Sequence, residues 1–452
     1  MGKLEEYLPE ESVTIQKIYE WHEKQEEKRD GPHQGRLGAS VIGKPCDRFL
    51  WYSFRGLVDK RFEGRMLRLF ETGHLEEPRL VKELRGIGCT VHDVDSNTGK
   101  QFEFTALGGH FVCHPDAAIL GLPESPKTWH IGEFKTMNDK SFNVLKKSNG
   151  VKKAKPEHYA QMMMGMGMSK MKRALYLVKN KDTDELYSER VRFDLNELDL
   201  LETRAERIIA SNAPLERCTN RPDDYRCKYC DAFSLCWATG GSESPESKYA
   251  VHIQKITCRS CCHATPEIDE GKGWARWSCK FHGKDLSRDD QGKACGDHLI
   301  LPGLVSFADA TDGNIEENWI EFTSHDGTVW KHGNGEGMWS TEELIRTPIG
   351  LIRFVKDIKE VFDGTVVAFD NGKRLTLLER YPAGDSELVW EGSPKDGDAI
   401  GQAIAGALGS GPLEVTAEEK EDEDSGCLEY NGKLLLIYSK VLDKMQILKG
   451  KE

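Results

Sequence analysis

The 452-residue sequence has no apolar run approaching the roughly 20 residues needed to span a bilayer, and its start, Met1-Gly2-Lys3-Leu4-Glu5-Glu6, is polar and acidic. Neither a membrane-spanning nor a secreted protein is expected, and the chain is read as cytoplasmic. It has no internal repeat of solenoid period, which excludes a repeat architecture. Gly333, Gly335 and Gly337 follow no phosphate-loop pattern, so no nucleotide site is assigned to them. An overall basic excess is also lacking, since the formal net charge is −13.

The charge is unevenly spread. Residues 301–452 hold about 15 Lys and Arg against about 29 Asp and Glu, which leaves the first 300 residues near neutrality and open to a polyanionic partner. Eight of the thirteen cysteines fall between Cys227 and Cys295, mostly as Cys-x2-Cys or Cys-x2-His. In a reducing compartment such clustering points to metal binding rather than disulfides.

Hydrophobic periodicity predicts helices over residues 3–29, 65–86, 155–169 and 195–211, with a capped turn and helix after Leu37. Strands are predicted over 89–94, 109–120, 128–135, 174–179 and 186–193, with 101–105 a further one. That order gives an α/β domain with a central mixed sheet flanked by helices. A Ser/Gly/Glu-rich linker at 240–250 separates it from a Cys/His-rich module at 254–300. A small, β-rich, acidic region at 301–452 follows, with hairpin signals at Asp326-Gly327, Asn371-Gly372 and Asn431-Gly432 and a helix near 340–362. The acidic run Glu418–Asp424 reads as a solvated loop. The three domains expected are therefore 1–240, 254–300 and 301–452.

The chemistry is concentrated between His114 and Lys135. His114-Pro115-Asp116 leads into an apolar run, and Ile131-Gly132-Glu133-Phe134-Lys135 follows on the next strand. Residues two apart on a strand share a face, so Glu133 and Lys135 both address the space beside Asp116. Two carboxylates and an ammonium at one sheet edge suit a divalent cation beside a catalytic lysine.

Pro115-Asp116 with Glu133-x-Lys135 resembles the PD-(D/E)xK nuclease superfamily and its restriction-endonuclease-like core. Gly73-x3-Glu77 in the preceding helix and Gln161, within His158-Tyr159-Ala160-Gln161-Met162, are similar to motifs of the RecB-like branch. The tyrosine usually found four residues after that glutamine is Gly165 here. The resemblance implies Asp116, Glu133, Lys135 and Gln161 as catalytic residues. It implies Mg²⁺ or Mn²⁺ held by Glu77, Asp116, Glu133 and the Phe134 carbonyl, with His74 as an alternative or additional ligand one turn from Glu77.

Cys46, followed by Arg48 and Trp51-Tyr52, then Cys227-x2-Cys230-x5-Cys236 after the core, resembles the iron-sulfur nucleases of the AddB type and of CRISPR adaptation. Cys46, Cys227, Cys230 and Cys236 would then hold a [4Fe-4S] cluster that staples the nuclease domain, with Cys218 the alternative fourth ligand. Cys258-x2-Cys261, Cys279-x2-His282 and Cys295-x2-His298 supply six candidates for a four-ligand zinc site. Cys258, Cys261, Cys279 and Cys295 are preferred, with His298 and His282 next. Arg259, Lys280, Lys284, Arg288, Trp274, Trp277 and Phe281 make this module a DNA contact or a protein-docking knob.

The expected function is a metal-dependent DNA exonuclease of phage type, acting on linear ends or single strands in recombination, repair or phage DNA metabolism, in the host cytoplasm if phage-encoded. A recombination or replication protein would be its partner. The alternative is a nuclease-fold end-binding or scaffold protein with a vestigial metal site.

Overall fold

A computed structural model describes residues 12–27, 35–58, 62–237, 251, 253, 255–269, 275–335 and 337–346, with the backbone of five strands beyond. The linker at 240–250, the acidic run at 418–424 and Trp274 lie outside the described residues. The chain divides into two compact units: Met1–Ser211, Leu215–Asn220 and Pro266–Arg276 form the first, and Asn212–Pro214, Arg221–Thr265 and Trp277–Glu452 the second.

The first unit is mixed α/β. Its helices are α1 (Val13–Glu27), α2 (Ala39–Ile42), α3 (Asp47–Phe54), α4 (Gly64–Gly86), α5 (Asp139–Lys147), α6 (Val151–Ala154), α7 (Pro156–Ser169) and α8 (Leu195–Ala210). Its strands are β1 (Leu37–Gly38), β2 (Thr90–His92), β3 (Phe104–Ala106), β4 (Phe111–Cys113), β5 (Ala117–Leu120), β6 (His130–Met137), β7 (Arg173–Asn180) and β8 (Leu186–Arg192). The main sheet has the order β2-β5-β6-β7-β8, in which only β6 and β7 run parallel. A smaller sheet has the order β1-β4-β3.

The strand expected over 109–120 is two strands in two different sheets, β4 and β5. The break falls at His114-Pro115-Asp116, where Pro115 lacks the N–H that a continuous ladder needs. Helices α5 and α6 occupy a stretch, 139–154, in which no element was expected.

Strand alternation sorts the core onto two faces. On one, Leu80, Val81 and Leu84 of α4 cover Ala117, Ile119, Phe134, Leu175 and Leu177. On the other, Phe142, Leu145, Val151 and Met162, Met163 and Met166 of α7 pack on Ile131, Met137, Ala174, Tyr176 and Val178. The methionine run of α7 is thus mostly core, as expected for a plastic apolar face. Where α1 crosses α4, an added Cβ on Gly64 would lie 2.1 Å from the Tyr19 carbonyl oxygen, so only glycine fits.

The turn carrying Cys46 is clamped onto α8. Arg204 donates to Asp47 at 2.7 Å, to the Lys44 carbonyl at 2.5 Å and to the Ile42 carbonyl, and Arg207 also binds Asp47. Trp51 and Arg55 both donate to the Ser211 carbonyl, at 2.9 Å each.

In the second unit, α9 (Phe233–Trp237) follows the Cys227 and Cys230 turns. A small sheet of β9 (Ala264–Pro266), β10 (Trp277–Cys279) and β11 (Lys284–Leu286) carries the Cys279-x2-His282 pair, and α10 (Arg288–Gln291) follows. A meander of β12 (Ala308–Asn314), β13 (Trp319–Ser324) and β14 (Val329–Gly333) comes next, then α11 (Thr341–Arg346). The turn at Asp326-Gly327 joins β13 to β14 as predicted, with Gly327 at φ +87°. The rest of the helix expected near 340–362 lies outside the described residues.

Five further strands, β15 (Thr365–Asp370), β16 (Ser386–Gly392), β17 (Ser425–Tyr430), β18 (Leu434–Ser439) and β19 (Lys444–Gly450), form one sheet in the order β15-β17-β18-β19-β16. The Asn431-Gly432 position lies between the antiparallel partners β17 and β18. Asn371-Gly372 lies outside the described residues; the strands on either side, β15 and β16, pair with β17 and β19.

Phe142 is fully buried beneath α5, so Phe142→Ala should destabilise the first unit by about 3–5 kcal/mol. Denaturant unfolding followed by circular dichroism would register this as an earlier midpoint, and an unchanged midpoint would contradict the packing described.

Candidate active site

β5 and β6 pair only as far as Ala117 opposite Gly132. Beyond that point the Asp116 backbone N–H still reaches the Gly132 carbonyl at 3.2 Å, and the chain then leaves the sheet through Pro115. The Asp116 carboxylate takes over the role of the missing strand by accepting the Phe134 N–H at 2.6 Å. The two strands therefore open at the position where Glu133 and Lys135 emerge from one face of β6.

Glu133 is 1% exposed, and the Lys135 ammonium lies directly against its carboxylate. From α4, His74 and Glu77 pair at 3.7 Å across one turn. Glu76, the neighbouring carboxylate, is committed elsewhere: it accepts from Lys179 of β7 at 2.6 Å, while Lys179 and Arg79 each hold Asp184 at 2.7 Å. That ion-pair network anchors α4 to the sheet and leaves Glu77 as the α4 carboxylate that feels the charge of Asp116.

Burial pushes the Glu133 carboxyl up to about 7; Lys135 opposes the rise, while Asp116 and Glu77 add to it. Burial raises Asp116 as well, with Lys135 and the Phe134 N–H offsetting it. Glu77 is raised by burial and then by Asp116. Burial works against the charge on Lys135, but Glu133 and Asp116 outweigh it and its pKa rises, so the amine keeps its proton. Three mutually repelling carboxylates with one ammonium among them are under-neutralised, which is the donor set a hard divalent cation fits. Lys135 thus contacts Glu133, Asp116 and Glu77 lie near enough to act on them electrostatically, and His74 stands beside Glu77.

Gln161 lies on α7, buried, one turn beyond His158. The residue four positions after it is Gly165, where an added Cβ would already touch Ile131 at 3.4 Å and Cys113 at 3.5 Å. A tyrosine ring has no room there. A phenol comes instead from β7: Tyr176 is the register partner of Glu133, is fully buried, and meets His158 Nδ1 at 2.6 Å. Burial, Lys135 and Lys155 hold His158 down at about 3, so its ring is neutral, and burial followed by Glu133 raises Tyr176. Sequence reasoning gave neither residue a role. The signal was the histidine three residues before Gln161; its tyrosine partner depends on strand register.

None of the twelve described cysteines forms a disulfide. Cys46 stands at the N-terminal cap of α3, in the first unit. Cys227, Cys230 and Cys236 share a compact run of turns in the second: Cys230 donates to the Cys227 carbonyl at 3.0 Å, Phe233 to Cys230 at 2.9 Å, and Cys236 to Ala232 at 2.8 Å. Cys218 belongs to the first unit.

The second unit also holds the thiols expected to bind zinc. Cys258, Cys261, Cys279, Cys295 and His282 line one cavity of about 190 Å³. Burial, followed by the charges of Cys261, Cys295 and Cys279, pushes the Cys258 thiol up to about 12, as expected of thiols crowded around one point. The Cys258 knuckle is closed by Cys261 donating to the Cys258 carbonyl at 3.0 Å, and the Cys279 knuckle turns at Gly283, φ +59°. His282 Nε2 lies 3.6 Å from Cys295 Sγ and 3.5 Å from Asp297, a carboxylate that sequence reasoning passed over.

His298 is placed differently from its expectation as a zinc candidate. It also borders the cavity, but its Nδ1 meets Thr341 Oγ1 at 2.8 Å and its Nε2 meets Ser260 Oγ and the Thr257 carbonyl, both at 3.0 Å. Both ring nitrogens are occupied, and neither is left for a metal. Two of the residues expected to touch DNA are also internal. Trp277 is fully buried, and Arg259 is half-buried against it, bonded to Gln291 at 2.7 Å.

No helix among the described residues is long and apolar enough to cross a membrane. No family model matches the chain, and no curated protein matches it. Solved structures similar to it include an alkaline exonuclease, LHK-Exo, from Laribacter hongkongensis, at 16% identity, covering 39% of this chain and 87% of that one with a TM-score of 0.27. The same enzyme in complex with dAMP matches at 15% identity, covering 43% and 91%, with a TM-score of 0.29. A third, SSO0001, matches at 13% identity, covering 50% and 96%, with a TM-score of 0.31.

The raised Glu133 pKa sets a pH dependence. A carboxyl raised from 4.5 to about 7 contributes stability to the metal-free fold that is full below 4.5 and is lost as pH rises through about 7. A cation reverses that preference, because it needs the deprotonated form. Calorimetric titration with Mn²⁺ should show tighter binding at pH 8 than at pH 6, weakening about tenfold per pH unit below 7, with Glu133→Gln flattening the dependence. Equal affinity at both pH values would contradict the assignment of Glu133 as a ligand.

Proposed function

We propose that the first unit is a metal-dependent DNA exonuclease of the RecB-like PD-(D/E)xK kind, serving recombination, repair or phage DNA metabolism. The observation that supports this reading best is the convergence of Asp116, Glu133 and Glu77 with Lys135 where β5 and β6 part. Asp116, Glu133, Glu77 and the Phe134 carbonyl would hold the ions, with His74 the further candidate. When bound, Mg²⁺ or Mn²⁺ supplies an activated water and neutralises charge on the scissile phosphate.

The chain's own groups do the rest. Because Lys135 keeps its proton, it acts as a cation and hydrogen-bond donor to a non-bridging phosphate oxygen, stabilising the charge that builds in the transition state. Gln161, one turn from His158 on α7, orients the phosphate, and Tyr176 with His158 backs the Glu133 strand.

Two structural metal centres complete the reading. Cys227, Cys230 and Cys236 would be ligands of a [4Fe-4S] cluster, for which thiolates are the natural donors. Cys258, Cys261, Cys279 and either Cys295 or His282 would hold zinc.

Purified protein should release nucleotides from linear DNA when Mg²⁺ or Mn²⁺ is added, and Asp116→Ala or Lys135→Ala should each lower the rate at least about 100-fold. Activity unchanged in both variants would overturn the enzyme reading in favour of an end-binding protein. Elemental analysis of anaerobically prepared protein should find both iron and zinc. Cys230→Ala should lose the iron alone and Cys279→Ala the zinc alone, and zinc without iron in the parent would overturn the cluster.

A further inference from the structure

Residues 139–155 contain six lysines and a single acidic residue, Asp139, in a chain whose net charge is −13. Two of these lysines are neutralised: Lys146 binds Glu185 at 2.5 Å and Lys152 binds Glu197 at 2.6 Å. Among the described residues, Lys140, Lys147, Lys153 and Lys155 have no ion-pair partner. Lys140, Lys147 and Lys153 are exposed and Lys155 is half-buried.

The packing of α5 fixes where its charges face. Phe142 and Leu145 are fully buried against the sheet, so the opposite stripe, Lys140, Asn143, Val144 and Lys147, looks outward. Lys140 and Lys147 are seven residues apart and hence on the same side of the helix, roughly 10 Å apart along its axis. α6 continues the surface with Lys153, and Lys155 caps α7.

The ridge also lies on the face of the sheet to which Glu133 and Lys135 point, because Phe142, Leu145 and Val151 share one core with Ile131 and Tyr176. Its inner end leads toward the candidate site: the Lys155 carbonyl accepts the His158 N–H at 3.1 Å, and His158 in turn meets Tyr176, the register partner of Glu133, at 2.6 Å.

We propose that the outer surface of α5 and α6, carried by Lys140, Lys147, Lys153 and Lys155, is the track for the sugar-phosphate backbone of the nucleic-acid strand whose end reaches the Asp116–Glu133 site. This rests on the nuclease reading above and deepens it by assigning the approach of the substrate. The first 300 residues are near neutral overall, so drawing in a polyanion needs a local concentration of positive charge, and this segment supplies one.

The test is fluorescence anisotropy of a labelled single-stranded oligonucleotide with the full chain over a salt series, without added Mg²⁺ or Mn²⁺ so that nothing is cleaved. The combined variant Lys140→Gln, Lys147→Gln, Lys153→Gln, Lys155→Gln should bind at least about 30-fold more weakly at low salt and lower the salt slope by about 3, since each single-strand phosphate contact contributes about 0.7. Replacing the same four residues with arginine should keep both. A control with the same charge change at exposed lysines elsewhere in the first unit, Lys82→Gln, Lys100→Gln, Lys127→Gln and Lys181→Gln, should stay within about twofold of the parent.

Unchanged binding by the ridge variant, an equal loss in the control, or polyglutamate competing as well as DNA of equal length would each overturn the proposal. The readout is independent of cleavage. Loss of binding in the ridge variant of a chain that cuts nothing would retain the track and remove the nuclease, whereas cutting abolished by Asp116→Ala with binding insensitive to the ridge would do the reverse.

Discussion

One hydrogen bond organises the candidate site: the Asp116 carboxylate accepting the Phe134 N–H at 2.6 Å. It stands where a backbone carbonyl would be if β5 continued, and it stands there because Pro115 takes the chain out of the sheet. The same bond orients Asp116 toward the face on which Glu133 and Lys135 emerge. Without it, β6 would present an unpaired donor and Asp116 would have no fixed direction.

The electrostatics follow from that geometry. Three carboxylates share one ammonium, with burial raising all three, Asp116 adding to the rise at both Glu77 and Glu133, and Glu77 adding to it at Glu133. A fold that only needed stability would do better with apolar residues here, since buried charge is costly to desolvate. Retaining an under-neutralised set is what the proposed cation site would require. The network of Glu76, Arg79, Lys179 and Asp184 shows the contrast, for there the charges are matched and the role is to hold α4 in place.

The part of the site legible in the sequence was the part governed by local rules. Period-two alternation put Glu133 and Lys135 on one face, proline chemistry marked Asp116, and helical spacing related His74 to Glu77. What depends on distant pairing was not legible. Tyr176 joins Glu133 only through the parallel register of β6 and β7, and His158 finds it only because α7 packs across both. Spacing likewise offered His298 as a zinc ligand, while the residues that occupy its nitrogens, Ser260 and Thr341, lie 38 and 43 positions away in sequence. Helices α5 and α6 escaped because they are short and lysine-rich, with only Phe142, Leu145 and Val151 turned inward.

The most direct measurement is anomalous X-ray diffraction from crystals of the protein grown with Mn²⁺. The account predicts a peak within about 2.0–2.2 Å of oxygens from both Asp116 and Glu133, on the side where Glu77 approaches. A saturated crystal with no peak there, and with Lys135 still closed against Glu133, would contradict it.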